Sequence, residues 1–222
     1  MKLKHMIAAP AVAAALFLTL PTALHAETSS EAAMEGVSHL QHEWARIKYD
    51  IADEDAQLDA IHKLEAEGEQ LRAQFPDSPE LQIWQGIILS TDAGIVRGIS
   101  ALGKVRDARD LFENVIATAP TAMDGSAYTS LGSLYYQVPP WPLAFGSDTK
   151  AEENLKKALA LNPNGIDPNF FYGDFLRQQE RYDEARAYFE KALYAPDRPD
   201  RPRADSGRRA EIARALNELA SK

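Results

Sequence analysis

The chain has 222 residues, 45% of them hydrophobic and 26% charged, with 33 acidic against 24 basic residues and a formal net charge of −9 at pH 7. Such acidity disfavours nucleic acid and anionic membrane surfaces, whose phosphates need clustered Lys and Arg. No cysteine occurs, which excludes a disulfide framework, a thiolate metal site, a cysteine nucleophile and a lipid-bearing cysteine.

Residues 1–26 read as a secretory signal. Lys2 and Lys4 give a basic start, Ile7 to Leu20 is apolar and Ala-rich, Pro21 breaks it, and Ala23 to Ala26 offers small residues for cleavage before Glu27. The apolar core is short for a bilayer span, so no stable membrane anchor is expected after cleavage, and the bacterial character of the segment points to the periplasm. Removing these residues takes away two lysines and no acid, leaving 22 basic against 33 acidic residues and a net charge of −11. The remaining 27–222 is one domain's length.

Glu27 to Gly36 is small and polar and reads as a mobile leader. Leu40, Trp44, Ile47 and Ile51 recur at helical spacing and predict a helix over 37–51. Asp53-Glu54-Asp55 suits the start of the next helix, where carboxylates meet the positive helix end; Leu58, Ile61, Leu64, Leu71 and Phe75 carry it to Pro76. Ser78 followed by Pro79 predicts an N-cap with proline in the first turn. Pro196 to Arg203 is a Pro- and Arg-rich connector. A last helix over 204–221, opened by Asp205 or Ser206, presents Ile212, Leu216 and Leu219 on one face.

Between these elements one skeleton recurs. Tyr128-x2-Leu131-Gly132-x2-Tyr135 precedes Ala151-x3-Leu155-x2-Ala158-x4-Pro163, and Asn169-x2-Tyr172-Gly173-x2-Leu176 precedes Ala185-x3-Phe189-x2-Ala192 and Pro196. Upstream, Gly86 precedes Ala108-x3-Phe112-x2-Val115-x4-Pro120. Ala151 and Ala185 are 34 residues apart. Gly and Ala mark places where two antiparallel helices approach closely, and the bulky positions fill the space between them.

The skeleton resembles the tetratricopeptide repeat, whose period is 34 residues. Asn169 stands where that family usually has Trp, Trp84 is displaced from the same slot, and Gln85 replaces an expected Leu. The resemblance implies an all-α, right-handed solenoid of about four helical hairpins. These are a degenerate pair over 37–77, three repeats over 78–197, and the terminal helix as a cap. It further implies a concave surface that binds a protein or peptide partner. Carried onto this chain, that surface comprises Glu80, Ile83, Ile87 and Ser90, then Thr129, Ser133, Tyr136 and Gln137, then Phe170, Asp174, Arg177 and Gln178. The Lys and Asn of the carboxylate-gripping branch are missing: Ile83, Ile87, Thr129 and Ser133 hold those places.

Two insertions depart from the pattern. The Gly-to-Ala interval is 12 residues from Gly173 to Ala185, 19 from Gly132 to Ala151 and 22 from Gly86 to Ala108. Both additions, at about 90–104 and 137–147, fall at the same edge of neighbouring hairpins and so should be adjacent. Val138 to Gly146 is apolar and holds three prolines; Ile95, Val96, Ile99 and Leu102 are interspersed with Gly94, Gly98 and Gly103. Apolar inserts of this kind are expected to cover one end of the groove. Trp141 and Phe145 should then meet Ile95 or Ile99, or the wall around Tyr135 and Tyr136, with Arg97 and Asp148 orienting a ligand at the mouth. The run from Phe145 to Ala151 is similar to a stretch in periplasmic tetratricopeptide proteins associated with TRAP transporters (their T-component). That resemblance implies a small apolar ligand under the inserts.

Catalytic and metal chemistry find little foothold. His39, His42 and His62 are the only histidines after residue 26, and a pair three apart is short of the three or four ligands of a zinc site. No Gly-x-Ser-x-Gly elbow or phosphate-binding loop is present. The expectation is a protein that is not an enzyme and needs no cofactor or metal, acting as a scaffold or adaptor through its groove, with small-ligand binding as the alternative.

Overall fold

The structure, a computed structural model, describes residues 22–222; the basic start and apolar core of the expected signal lie outside them. The described residues form nine α-helices with no strand: α1 (Thr22–Asp50), α2 (Glu54–Gln74), α3 (Pro79–Val96), α4 (Ala101–Thr118), α5 (Ser126–Gln137), α6 (Asp148–Leu161), α7 (Ile166–Gln178), α8 (Tyr182–Leu193) and α9 (Pro202–Leu219). A short 3-10 turn, Ala122–Gly125, leads into α5. No described helix is long and apolar enough to cross a membrane.

Local signals set the helix starts. Asp53 accepts the Ala56 amide at 2.9 Å and caps α2, whose first turn carries Glu54 and Asp55. Ser78 accepts from Leu81 N at 3.3 Å with Pro79 as the first residue of α3, and Ser147 caps α6. Asn169, in the slot usually filled by Trp, is fully buried and donates to the carbonyls of Pro163 and Gly165, tying the turn before α7.

The helices pair as α1/α2, α3/α4, α5/α6 and α7/α8, an all-α solenoid with α9 at its end. Each repeat glycine meets the bulky residue of its partner helix: Gly86 faces Phe112, Gly132 faces Leu155 and Gly173 faces Phe189. Those three side chains are fully buried. A side chain on the glycine would hold the two axes apart, which is why the skeleton spends its most flexible residue there.

Three boundaries differ from the sequence reading. The segment Glu27–Gly36 is not an irregular leader but continues α1: Ala33 is buried, and Gly36 lets Leu71 of α2 approach within 2.9 Å of where a Cβ would stand. The first insertion is mostly helix, because α3 runs to Val96 and α4 starts at Ala101, leaving only residues 97–100 between them. The second, residues 138–147, is a true connector. The last helix begins at Pro202, not at Asp205 or Ser206, because Asp205 is used elsewhere: its buried carboxylate accepts from the backbone and guanidinium of Arg198, both at 2.7 Å.

The larger surprise is where α9 goes. Besides covering α8 and α7 it packs across the molecule on α1, so the last helix meets the first. Gly207 sits against the Tyr49 ring, Arg203 pairs with Asp50 at 2.9 Å, and His42 Nε2 hydrogen-bonds the Asp200 carbonyl at 2.7 Å. Ala204 enters the apolar cluster of Trp44, Trp84, Leu40 and Ile47. The solenoid closes into a ring.

Glycine substitutions test this packing. Gly86→Ala places a Cβ within 2.5 Å of the Phe112 ring; overpacking of about 1–3 kcal/mol should exceed the helix-propensity gain of up to about 1 kcal/mol. Gly94 and Gly103 have nothing within 4 Å of an added Cβ, so Gly94→Ala and Gly103→Ala should be neutral or stabilising. Urea denaturation of the three variants should give opposite signs.

Candidate functional site: the cavity inside the ring

The inward faces of α1, α3, α5, α7 and α9, with the start of α4, surround an open-mouthed cavity of about 1300 Å³. One side is apolar, built from Ile87, Ile95, Leu102, Val105, Leu134 and Phe170, with Val138, Pro139 and Leu143 of the second insertion at the rim. The other side is charged and lies along the seam between α1, α7 and α9.

At this seam Asp167, in the first turn of α7, receives Arg198 at 2.7 Å and Arg208 at 2.9 Å. Arg208 also pairs with Glu211 at 2.5 Å, and Glu211 takes Lys48 of α1 at 3.2 Å. Arg208 lies with its guanidinium 4.3 Å from the centre of the Phe170 ring. Burial acts to raise the Asp167 carboxyl, but Arg208, Arg198 and Arg201 outweigh it and hold it well below the usual carboxylate range. Burial, and then repulsion by Arg208, pushes Lys48 down despite Glu211; burial above all pushes Tyr49 up. Arg201 also lines the cavity, its guanidinium 5.1 Å from the centre of the Trp84 ring, and its Nε is buried without a hydrogen-bond partner among the described residues.

Of the residues singled out from sequence, Ile87, Thr129, Ser133, Phe170, Asp174 and Arg97 line the cavity, as do Ser90 and Gln137. Ile83 does not. It is fully buried in the apolar cluster shared with α4 and α5, on the flank of α3 where the next pair packs. Tyr136 is likewise a core residue that donates to Asp174 at 2.9 Å. Arg177 stands behind Asp174, bound to it at 2.7 Å and to Glu218 at 2.9 Å. Glu80 and Gln178 lie off the cavity wall. Asp148 opens α6 on another face, beside Glu152, Lys156 and Arg181, so it cannot orient anything at the mouth.

The expected cover by Trp141 is overturned: its side chain is 85% exposed. The second insertion folds on itself, with Gly146 N donating to Pro139 O at 3.0 Å and Ser147 N to Tyr135 O at 2.8 Å, which turns Trp141 outward at the tip. Phe145 is the anchor of that loop. It meets Tyr135 edge-on at 5.7 Å between centroids and carries the Arg109 guanidinium at 4.7 Å. Ile99 and Leu143, one from each insertion, reach the same cavity rim while remaining exposed.

His39 and His42 diverge, the first to Glu67 at 2.8 Å and the second to the Asp200 carbonyl. Among the described residues no group of three His, Asp or Glu is placed to hold a metal. Sequence reasoning missed the seam itself: Lys48, Tyr49, Asp167, Arg198, Arg201, Arg208 and Glu211. The available signal was the density of arginine between 198 and 209, read only as a connector.

Removing Asp167 should expose how much the seam matters. Asp167→Ala leaves Arg208, 5% exposed, without its main counter-ion and should cost about 3 kcal/mol, against under about 1 kcal/mol for breaking the exposed Arg177–Glu218 pair. The Asp167 carboxyl is held below its unfolded value, so its stabilisation is complete above the ordinary carboxylate range, near pH 4, and fades as the pH falls below it. Melting temperature against pH should therefore fall less steeply on the acid side for Asp167→Asn than for the wild type.

Comparison with known proteins agrees with the fold. Residues 144–210 match the family model described as tetratricopeptide repeat. No curated protein matches the chain. The crystal structure of a thermophilic TPR protein from Thermus thermophilus superposes with a TM-score of 0.54 at 22% identity, covering 75% of this chain and 74% of that one. A mutant of MamA aligns over 88% of this chain and 99% of its own, at 22% identity and a TM-score of 0.46, too loose a likeness to argue from. Residues 144–210 thus carry tetratricopeptide-repeat sequence, and the described residues share the all-α fold of the Thermus thermophilus repeat protein.

Proposed function

We propose that the protein is a non-catalytic binding protein of the periplasm, exported by residues 1–26, that holds a small, largely apolar ligand inside its ring. The observation that carries this reading is the packing of α9 on α1. An open repeat groove accepts an extended peptide along its length; here the groove's ends are drawn together and its concave face becomes a cavity. Its volume, about 1300 Å³, lies just above the range of about 300–1,000 Å³ usual for small-molecule sites. One wall is apolar, which supplies the affinity such a ligand needs.

A scaffold or adaptor role, the ordinary use of the repeat fold, is favoured by a different observation. Ile99, Trp141 and Leu143 are 87%, 85% and 65% exposed, an apolar rim of the kind that marks protein contacts.

A neutral apolar fluorophore, N-phenyl-1-naphthylamine, distinguishes the two. The cavity reading expects one equivalent to bind and to quench Trp44 and Trp84, which line the cavity. Ile87→Glu should weaken that binding at least tenfold and Trp141→Ala should leave it unchanged. If no probe enters, while a protein captured from a periplasmic extract is lost in Trp141→Ala, the adaptor role is the correct one.

A further inference from the structure

On the charged side of the cavity one cation, Arg201, stands outside the network of ion pairs. Along the seam the cavity is lined by Lys48, Arg198, Arg201 and Arg208, while Arg97, Asp124, Asp174, Asp197 and Asp200 also line it. Three carboxylates are engaged there, and each is already taken. Asp167 holds Arg198 and Arg208, Asp205 holds Arg198, and Glu211 holds Arg208 and Lys48. Arg201 has no ion pair among the described residues. Asp200 beside it is exposed, and its carbonyl is occupied by His42. Burial, and then repulsion by Arg198, act against the charge of Arg201 and outweigh the pull of Asp167, Asp205 and Asp200, none of which pairs with it directly, and its Nε is buried with nothing to donate to.

A largely desolvated guanidinium without a counter-ion is costly to the fold. Trp84 offsets part of that cost by lying under the guanidinium at 5.1 Å. A guanidinium stacked on a ring keeps its edge free, and that edge presents parallel N–H donors matched to a carboxylate. Ile87, Ile95, Leu102 and Leu134 line the same cavity.

We infer that the cavity binds an amphipathic monoanion, a carboxylate on an aliphatic chain, with the carboxylate on Arg201 and the chain against the apolar wall. The inference rests on the cavity reading above and adds the ligand's charge. A single free guanidinium edge matches one carboxylate, and Asp174, Asp197 and Asp200 in the same lining disfavour a dianionic phosphate. The acidic surface outside the cavity is screened beyond about 8–10 Å at physiological salt, whereas Arg201 acts at contact.

The test uses decanoate, decanol and decylamine as competitors of N-phenyl-1-naphthylamine, on the wild type and on Arg201→Gln and Arg201→Lys. Decanoate should bind the wild type at least tenfold more tightly than decanol, and decylamine more weakly than either. Arg201→Gln should erase the preference for decanoate while leaving decanol affinity unchanged, and Arg201→Lys should retain a preference. Arg201 makes no ion pair, so neither variant should melt below the wild type, which separates loss of the site from loss of the fold. Equal affinity for decanoate and decanol, or a preference that survives Arg201→Gln, overturns the inference while leaving the cavity reading intact. If none of the three competes and the fluorophore itself is not bound, both fall together.

Discussion

Asp167 occupies the position on which the ring depends. It sits in the first turn of α7, where the helix dipole favours negative charge, and it draws Arg198 from the connector and Arg208 from α9 onto the same carboxylate. That arrangement sets where α9 begins and which of its faces turns inward. Glu211, one turn beyond Arg208, then reaches Lys48 of α1. Without this chain of charges α9 would still cover α8 through Ile212, Ala215 and Leu219, as a cap ordinarily does. It would have less reason to meet α1. The difference between an open groove and an enclosed cavity therefore rests on a few polar contacts whose geometry is set by one turn of helix.

Polar closure has a physical consequence that apolar closure would lack. Apolar surfaces tolerate sliding, whereas paired charges with fixed hydrogen-bond directions permit few arrangements. Ala204 against the Trp44 and Trp84 cluster, and Gly207 under Tyr49, add a close apolar fit beside the pairs. The seam thus combines a little apolar burial with directional electrostatics, and its weakness is desolvation: each charge it buries must be matched. Arg201 is where the matching stops.

The repeat skeleton was legible because its signal is steric and local. Gly86, Gly132 and Gly173 need no knowledge of distant residues to announce a close helix pair, and Asp53 and Ser78 cap helices by bonds within three residues. The insertions were legible in position but not in conformation. Ile95 and Ile99 looked like loop because glycines surround them, yet Gly94 and Gly103 are absorbed into helices with open space beside them. Trp141 was misplaced for a related reason. Composition says that an apolar loop packs, but not which of its residues is the anchor, and backbone hydrogen bonds inside the loop gave that part to Phe145. The seam was illegible because its pairs join different elements, 31 and 41 positions apart at Asp167 and more than 100 apart between Lys48 and Glu211. No short-range pattern marks Asp167, Glu211, Arg198, Arg208 and Lys48 as partners when their helices meet only after the ring has closed.

The same closure links ligand binding to stability. The cavity wall includes residues from α1, α3, α7 and α9, which are the elements joined at the seam. Trp84 and Arg201, from α3 and the start of α9, are already in contact across it. A ligand that touches both ends binds the closed ring and not the unfolded chain, so it shifts the equilibrium toward closure by mass action, about 2.7 kcal/mol at a concentration a hundred times its dissociation constant. An anion at Arg201 acts more strongly than an uncharged ligand of equal size, since it also removes the penalty of the unmatched guanidinium. The imbalance that weakens the empty ring is in this way the source of its preference for a filled one.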